Sequence, residues 1–147
     1  MVLDEIDQQI VSLLRQNARR SFADIGARVA LSAPAIKRRV DRLEEAGVIR
    51  GYSAVLDHAA LGWSTHAVVS LFCEGRMSGK EILSAAGRLP EVAAAHTVAG
   101  EASAILHLHA HDTEHLEQAL ERLREAPGIT RTQTQIVLST LFERPVS

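Results

Sequence analysis

Cysteine and aromatic residues are scarce in this 147-residue chain. Cys73 is the only cysteine, so no disulfide can form within the chain and packing alone must hold its core. One Trp, one Tyr and three Phe leave that core to aliphatic side chains and alanine. No apolar run approaches the roughly 18–20 residues that cross a bilayer, so no membrane span is expected. The opening residues, MVLDEIDQQI, carry early acids and no basic flank ahead of an apolar stretch, which is not the pattern of a secretory signal. A cytoplasmic location is the expectation. Nucleophile–base spacings, glycine-rich phosphate loops and metalloprotease helices are also missing. The reading is therefore of a protein that is not an enzyme, with no catalytic residues, no cofactor and no metal.

A strong excess of either charge is absent too, the formal net charge being −2. The distribution says more than the total. Residues 15–50 hold nine basic side chains against four acidic ones, whereas residues 64–147 hold seven against ten. A basic segment in a mildly acidic chain implies a local anion-binding surface. Hydrophobic residues make up 46% of the chain, enough for one ordinary domain or two small ones.

Apolar spacing then gives the organisation. Leu3, Ile6, Ile10, Leu13 and Leu14 recur at helical intervals over residues 3–17, with Asp4, Glu5 and Asp7 in the first turn, where acids suit the helix dipole. Ser21 is a cap for a second, short helix with Phe22, Ile25 and Val29 on its inner face. After a break at residues 30–32, Ser32 caps a third helix, Pro34 sits in its first turn, and Ile36, Val40 and Leu43 turn inward. Gly47 ends it. Residues 48–56 read as two short strands around a turn at Gly51, and residues 57–62 as a linker turn. Strand patterns over 65–73, 92–98, 103–110 and 132–141 alternate with helical patterns over 77–89 and 112–126. That order is βαββαβ, the ferredoxin-like arrangement. The expected fold class is α+β: an N-terminal winged helix-turn-helix over 1–51, a hairpin or linker over 52–63, and a C-terminal ferredoxin-like domain over 64–147.

Two features carry chemistry. With Ile36, Val40 and Leu43 inward, Lys37, Arg38, Arg39 and Arg42 occupy the sides and outer surface of the third helix. Ser32, Ala33 and Ala35 are small, so the start of that helix can approach another molecule closely. Such a helix fits the major groove of double-stranded DNA, where guanidinium forks match guanine edges and phosphates. In the strand over 103–110, Ala104, Leu106, Leu108 and Ala110 form one face, and Ser103, Ile105, His107, His109 and His111 form the other. The polar face needs a cover, which a second copy would supply. Alternate histidines on a strand, with His96 nearby, can also ligate a transition ion. Polar residues of an interface are the simpler reading.

The stretch LDEIDQQIVSLL, the block LSAPAIKRRVDRLEEAGVIRGY and the later Leu61-Gly62 resemble the Lrp/AsnC (feast/famine) family of transcriptional regulators, and the βαββαβ half is similar to that family's ligand-sensing domain. The resemblance covers nearly the whole chain. It implies that Ser32, Ala33, Ala35, Lys37, Arg38, Arg39 and Arg42 face DNA, with Arg38, Arg39 and Arg42 as main contacts and Arg50 and Tyr52 near the backbone. It also implies sensing domains paired sheet to sheet into homodimers, often closing into octamers, and an amino-acid effector held between dimers at the turn after the second strand. Here that turn supplies Val98, Gly100, Glu101, Ala102 and Ser103, with Thr134 as a polar wall. Members of the family often follow the glycine with an aromatic and an aspartate, whereas this chain has Ala102, Ser103 and Ala104. A larger or basic effector facing Glu101 is the expectation. Two other readings are a DNA-bridging regulator without a ligand, and an enzyme like the siroheme decarboxylases that share this build.

Overall fold

A computed structural model describes residues 2–75 and 77–142, which divide into two compact units with the break after Val55. The first unit is three helices: α1 (Glu5–Gln16), α2 (Phe22–Val29) and α3 (Ala33–Glu45). Ser21 and Ser32 cap α2 and α3 as expected, whereas Asp4, read from the sequence as a first-turn acid, is the cap of α1. Asp4, Ser21 and Ser32 accept the backbone N–H groups of Asp7, Asp24 and Ala35, donors that no intrahelical carbonyl can reach. Ile10 and Leu14 of α1, Ile25 of α2, and Ile36, Val40 and Leu43 of α3 form one buried cluster. The end of α3 is closed in a Schellman pattern. Gly47, at φ +70°, donates to the carbonyl of Glu44, and Val48 donates to that of Leu43, each at 2.9 Å.

The turn between α2 and α3 is tight for two reasons visible in single residues. Ala30 closes α2 in the left-handed region at φ 57°, and its successor Leu31 donates to the Gly26 carbonyl at 3.0 Å. A Cβ on Gly26 would stand 2.3 Å from the Leu31 carbonyl oxygen, so only glycine lets the chain fold back this closely.

The two strands expected over residues 48–56 are not formed; the segment is irregular. A two-stranded ribbon is marginal in water unless something packs against it. Here Val55 and Leu56 are exposed, while Ile49 packs onto the helical cluster. Tyr52 is tied back to α3, its hydroxyl donating to Glu44 Oε1 at 2.7 Å. Partial burial, reinforced by that carboxylate, pushes the Tyr52 phenol up to about 12. The helix-turn-helix therefore stands without wing strands.

The second unit is β1 (Thr65–Cys73), α4 (Gly79–Ala86), β2 (Val92–Thr97), β3 (Ala104–Ala110), α5 (Thr113–Arg124) and β4 (Ile129–Ile136). The sheet order is β2-β3-β1-β4 with every neighbouring pair antiparallel, as the βαββαβ pattern requires. Ala67, Val69 and Leu71 of β1 and Ala104, Leu106, Leu108 and Ala110 of β3 are fully buried against Ile82 and Ala86 of α4 and Leu116, Ala119, Leu120 and Leu123 of α5. A capping box at Ser78 and Glu81 starts α4.

The last strand runs over 129–136 rather than 132–141. It is an edge strand whose only neighbour is β1, and β1 begins at Thr65, so the ladder ends where Val137 donates to the His66 carbonyl at 2.8 Å. Both substitutions at the α2–α3 turn report on its geometry, and they should act in opposite directions. Gly26→Ala should lower stability by about 1–3 kcal/mol through overpacking. Ala30→Gly should raise it by about 0.5–1 kcal/mol through relief of the left-handed strain. Urea denaturation followed by helical circular dichroism measures both.

Candidate functional site

The seven residues read as facing DNA do not share one environment. Arg38 is exposed and makes no ion pair among the described residues. Lys37 is also exposed but pairs with Asp41 one turn on. Arg39 turns toward α1. Its Nη1 lies 2.7 Å from Asp4 Oδ2 and 2.7 Å from Asp7 Oδ1, and its side chain is only 25% exposed. Arg42 is half-exposed and places Nη2 2.9 Å from Asp7 Oδ2.

Asp7 is almost completely buried, and a carboxylate out of water must be paired. The two arginines supply that pairing from α3. The hydrogen bond from Arg39, and then that from the Asp7 N–H, hold the Asp4 carboxyl below its usual range, and Arg39 itself is raised by Asp4 and Asp7. Arg39 thus serves first to clamp α1 onto α3, with Arg42 beside it. Asp24 similarly pairs with both Arg20 and Arg28. Arg15, Arg19, Arg38 and Arg50 are the exposed arginines of the first unit without an ion pair among the described residues.

At the start of α3, Ser32 and Pro34 are exposed, and Ala33 and Ala35 are half-buried. Ser32 Oγ accepts the Ala35 N–H. Small side chains there keep the helix N-terminus open to close approach; Pro34 carries no N–H and those of Ala35 and Ile36 are bonded to Ser32, so the Ala33 N–H is the one left for an outside acceptor among the described residues.

In the second unit, the turn after β2 borders a groove of about 680 Å³. Cys73, Gly75, Met77 and Ser78 line one part of it, and residues 97–103 the other. Val98, Gly100, Glu101, Ala102 and Ser103 therefore come together as expected. Gly100 takes φ +148°, a conformation side chains rarely adopt. Ser103 anchors the turn by donating to the Leu71 carbonyl at 2.8 Å. Among the described residues, the N–H groups of Ala99, Gly100, Glu101 and Ala102 have no hydrogen-bond partner. A solvent-exposed turn with several unbonded N–H groups is chemically suited to a carboxylate.

Thr134 does not belong with them. It lies on β4, with β1 between that strand and β3, and pairs with Val69, whose side chain is in the core against the helices. Directly paired residues share a face, so Thr134 points to the helix-covered side, away from the turn.

The histidine run is also divided. Ala110 ends β3, and His111 leaves the strand face: its Nδ1 is 2.8 Å from the Gly62 carbonyl and its ring lies against Trp63 and His115. His115 Nε2 reaches Glu91 Oε1 at 2.8 Å, and Arg122 pairs with the same oxygen. Burial pushes the Glu91 carboxyl up, but Arg122, its own N–H and His115 outweigh that and leave it lowered. His107 and His109 stay on the face away from the helices and meet His66 of β1, together with His58 and His96. The register His66↔His109 is what assembles this group, and strand pairing cannot be read from spacing along one strand.

With this geometry in hand, the relatives are informative. The family profile for the AsnC-type helix-turn-helix domain matches residues 3–44, and that for the Lrp/AsnC ligand binding domain matches residues 66–147. The HTH-type transcriptional regulator Rv2324 of Mycobacterium tuberculosis is 49% identical over 97% of this chain and 96% of its own length. Among solved structures, the feast or famine regulatory protein Rv3291c of M. tuberculosis, complexed with L-methionine, is 31% identical with a TM-score of 0.90 over 97% of this chain and 96% of that one. The transcriptional regulator NMB0573 of Neisseria meningitidis, in complex with L-Met, is 25% identical with a TM-score of 0.88 over 97% and 94%.

The division between Arg38 and Arg39 gives a direct expectation. Arg39→Ala should destabilise the helical unit by about 1–3 kcal/mol, because it leaves the buried Asp7 with Arg42 alone. Arg38→Ala should stay within about 0.5 kcal/mol, as for an exposed surface position. Paired thermal melts of the two variants measure the difference.

Proposed function

Since the chain belongs to the Lrp/AsnC family of HTH-type transcriptional regulators, we propose that it reads double-stranded DNA through the outer face of α3, with Arg38 as the principal base- or phosphate-contacting cation. The observation that carries this reading is that Arg38 is exposed and uncommitted while Arg39 and Arg42 are tied to Asp7. Lys37 and the small residues Ser32, Ala33 and Ala35 complete the contact surface. Arg42, half-exposed, adds a phosphate contact at the edge, and Arg39 holds the helix at the angle that presents the others. Two copies related by a twofold axis would offer two such helices to successive major grooves. The sheet face bearing His66, His107 and His109 supports a homodimer by sheet-to-sheet packing, and further association into octamers would let one assembly bridge several sites. Its work lies in the cytoplasm with the DNA, and regulation rather than catalysis is its role.

The groove at residues 97–103 is the proposed effector site. Amino-acid complexes of Rv3291c and NMB0573 support an amino acid as ligand. The N–H groups of Ala99 to Ala102 suit its carboxylate, and the Glu101 carboxylate favours an effector with a cationic side chain. Ala102 and Ser103 leave room for a larger one. Such a ligand can act only through a difference in affinity between two assembly states.

DNA binding is tested on a duplex selected by the protein from a random pool. Arg38→Gln should weaken binding and lower the slope of log affinity against log salt by about 1. An unchanged affinity and slope would refute the assignment of α3. The effector site is tested by calorimetry with the twenty amino acids. A basic amino acid should give the strongest heat, and Glu101→Gln should reduce its affinity. Silence from all twenty would favour a DNA-bridging regulator without a ligand, a reading that the small residues after Gly100 also allow.

A further inference from the structure

The sheet face away from the helices gathers imidazoles in a way that neither DNA reading nor an effector at residues 97–103 uses. His66 on β1, His107 and His109 on β3, and His96 on β2 share it, since their neighbours Ala67, Leu106, Leu108 and Ala95 alternate to the other side. His58 reaches it from the segment before β1. With Trp63, Ala93, Ala94, Thr140 and Phe142 they border a pocket of about 590 Å³. Among the described residues no carboxylate or thiol lines it, so imidazole nitrogen dominates the donor chemistry they supply.

Within this group one pair stands out by geometry. His66 Nε2 and His107 Nδ1 face each other across the two strands at 3.4 Å. Two ligands on one tetrahedral ion with metal–nitrogen bonds of about 2.0–2.1 Å stand roughly 3.3–3.4 Å apart. Without an ion, one ring donates to the other at this distance, which one being set by the tautomer. The rings are held from both sides. His66 stacks on His109 with centroids 4.5 Å apart, His109 stacks on His58 at 4.2 Å, and His96 stands edge-on to His107 at 6.3 Å. Stacking of this kind restricts the two ring planes, which lowers the ordering cost of binding an ion between them.

We propose that His66 and His107 form a binding site for a divalent transition ion of the zinc–nickel–copper class. Imidazole ligands serve these ions and serve magnesium or calcium poorly, because the latter require oxygen. Among the described residues no three His, Cys, Asp or Glu groups converge on one point, so one chain supplies two ligands and water fills the remaining positions. The site draws on one chain's residues and stands whether or not a second copy covers the face.

Calorimetric titration of the full chain with ZnCl₂ and NiCl₂, with MgCl₂ as control, tests it. The expected result is one zinc or nickel ion per chain and no magnesium heat. His66→Asn and His107→Asn should each weaken binding by about tenfold or more, the loss expected when a metal site loses a fixing partner. His111→Asn, whose ring lies against Trp63 and His115 instead, should bind as the unaltered chain does. Circular dichroism of each variant establishes that the fold is retained. Absence of zinc and nickel binding by the unaltered chain would overturn the proposal, as would equal affinity in the folded His66→Asn and His107→Asn variants. A loss in His111→Asn matching theirs would also overturn it. None of these readouts depends on DNA or an amino acid, so the outcome is separable from the regulatory reading.

Discussion

A single buried carboxylate organises the helical unit. Asp7 sits on α1 with almost no exposure, and an ionised group in that position is tolerated only when its partners are close. Arg39 and Arg42 meet that need from α3. Two consequences follow from the same contact. It fixes how α3 lies against α1, and it ties up two of the four cations of α3, covering most of Arg39 while Arg42 stays half-exposed. The cations wholly outward, Arg38 with Lys37 beside it, are fewer than the count of basic residues implies. Part of the positive charge of the N-terminal segment is held in pairs with Asp4, Asp7, Asp24 and Asp41, while Arg15, Arg19, Arg38 and Arg50 stay exposed without an ion pair among the described residues.

The sheet of the second unit is organised by alternation rather than by charge. Every second residue of β1 and β3 is packed beneath α4 and α5, which commits the intervening residues to the opposite face. The strand pairing then decides which of them meet. Because β1 lies between β3 and β4, His66 is brought to His107 and His109, while Thr134 is carried to the far side of β1 and onto the helix face. The same arrangement leaves the turn after β2 at one end of the sheet, next to the residues that follow β1. Candidate ligand groups thus fall into two separate places, a turn rich in backbone N–H groups and a face rich in imidazole, and their chemistries differ accordingly.

A regulator of this family couples binding at one surface to binding at another, and linkage demands only that each ligand distinguish two states. Here the surfaces rest on different kinds of support. The proposed DNA face relies on a helix whose cap, Schellman closure and ion pairs are all local to the first unit. The turn at residues 97–103 is lightly held, with Ser103 to Leu71 as its main anchor. Lightly held backbone is where a bound molecule can add order at small structural cost.

Much of this was legible from residue spacing. The caps at Ser21 and Ser32, the stop at Gly47 and the strand–helix alternation after residue 64 are local signals, and local hydrogen bonding is decided by neighbours in the chain. The place of Arg39 was legible as well: three residues after Ile36 and four before Leu43, at about 100° per residue it must border the buried seam, with Arg38 roughly opposite. The absent wing strands and the early end of β4 were not, because a strand exists only while a partner runs beside it. The partners of Asp7, the meeting of His66 with His107 and the exclusion of Thr134 from the effector turn likewise belong to tertiary structure. Sequence by itself determined the five helices, the three strands before β4 and which way their apolar sides point, since those depend on near neighbours. Only the folded chain decided which distant polar groups touch, since helix packing and strand register join residues that no periodicity connects.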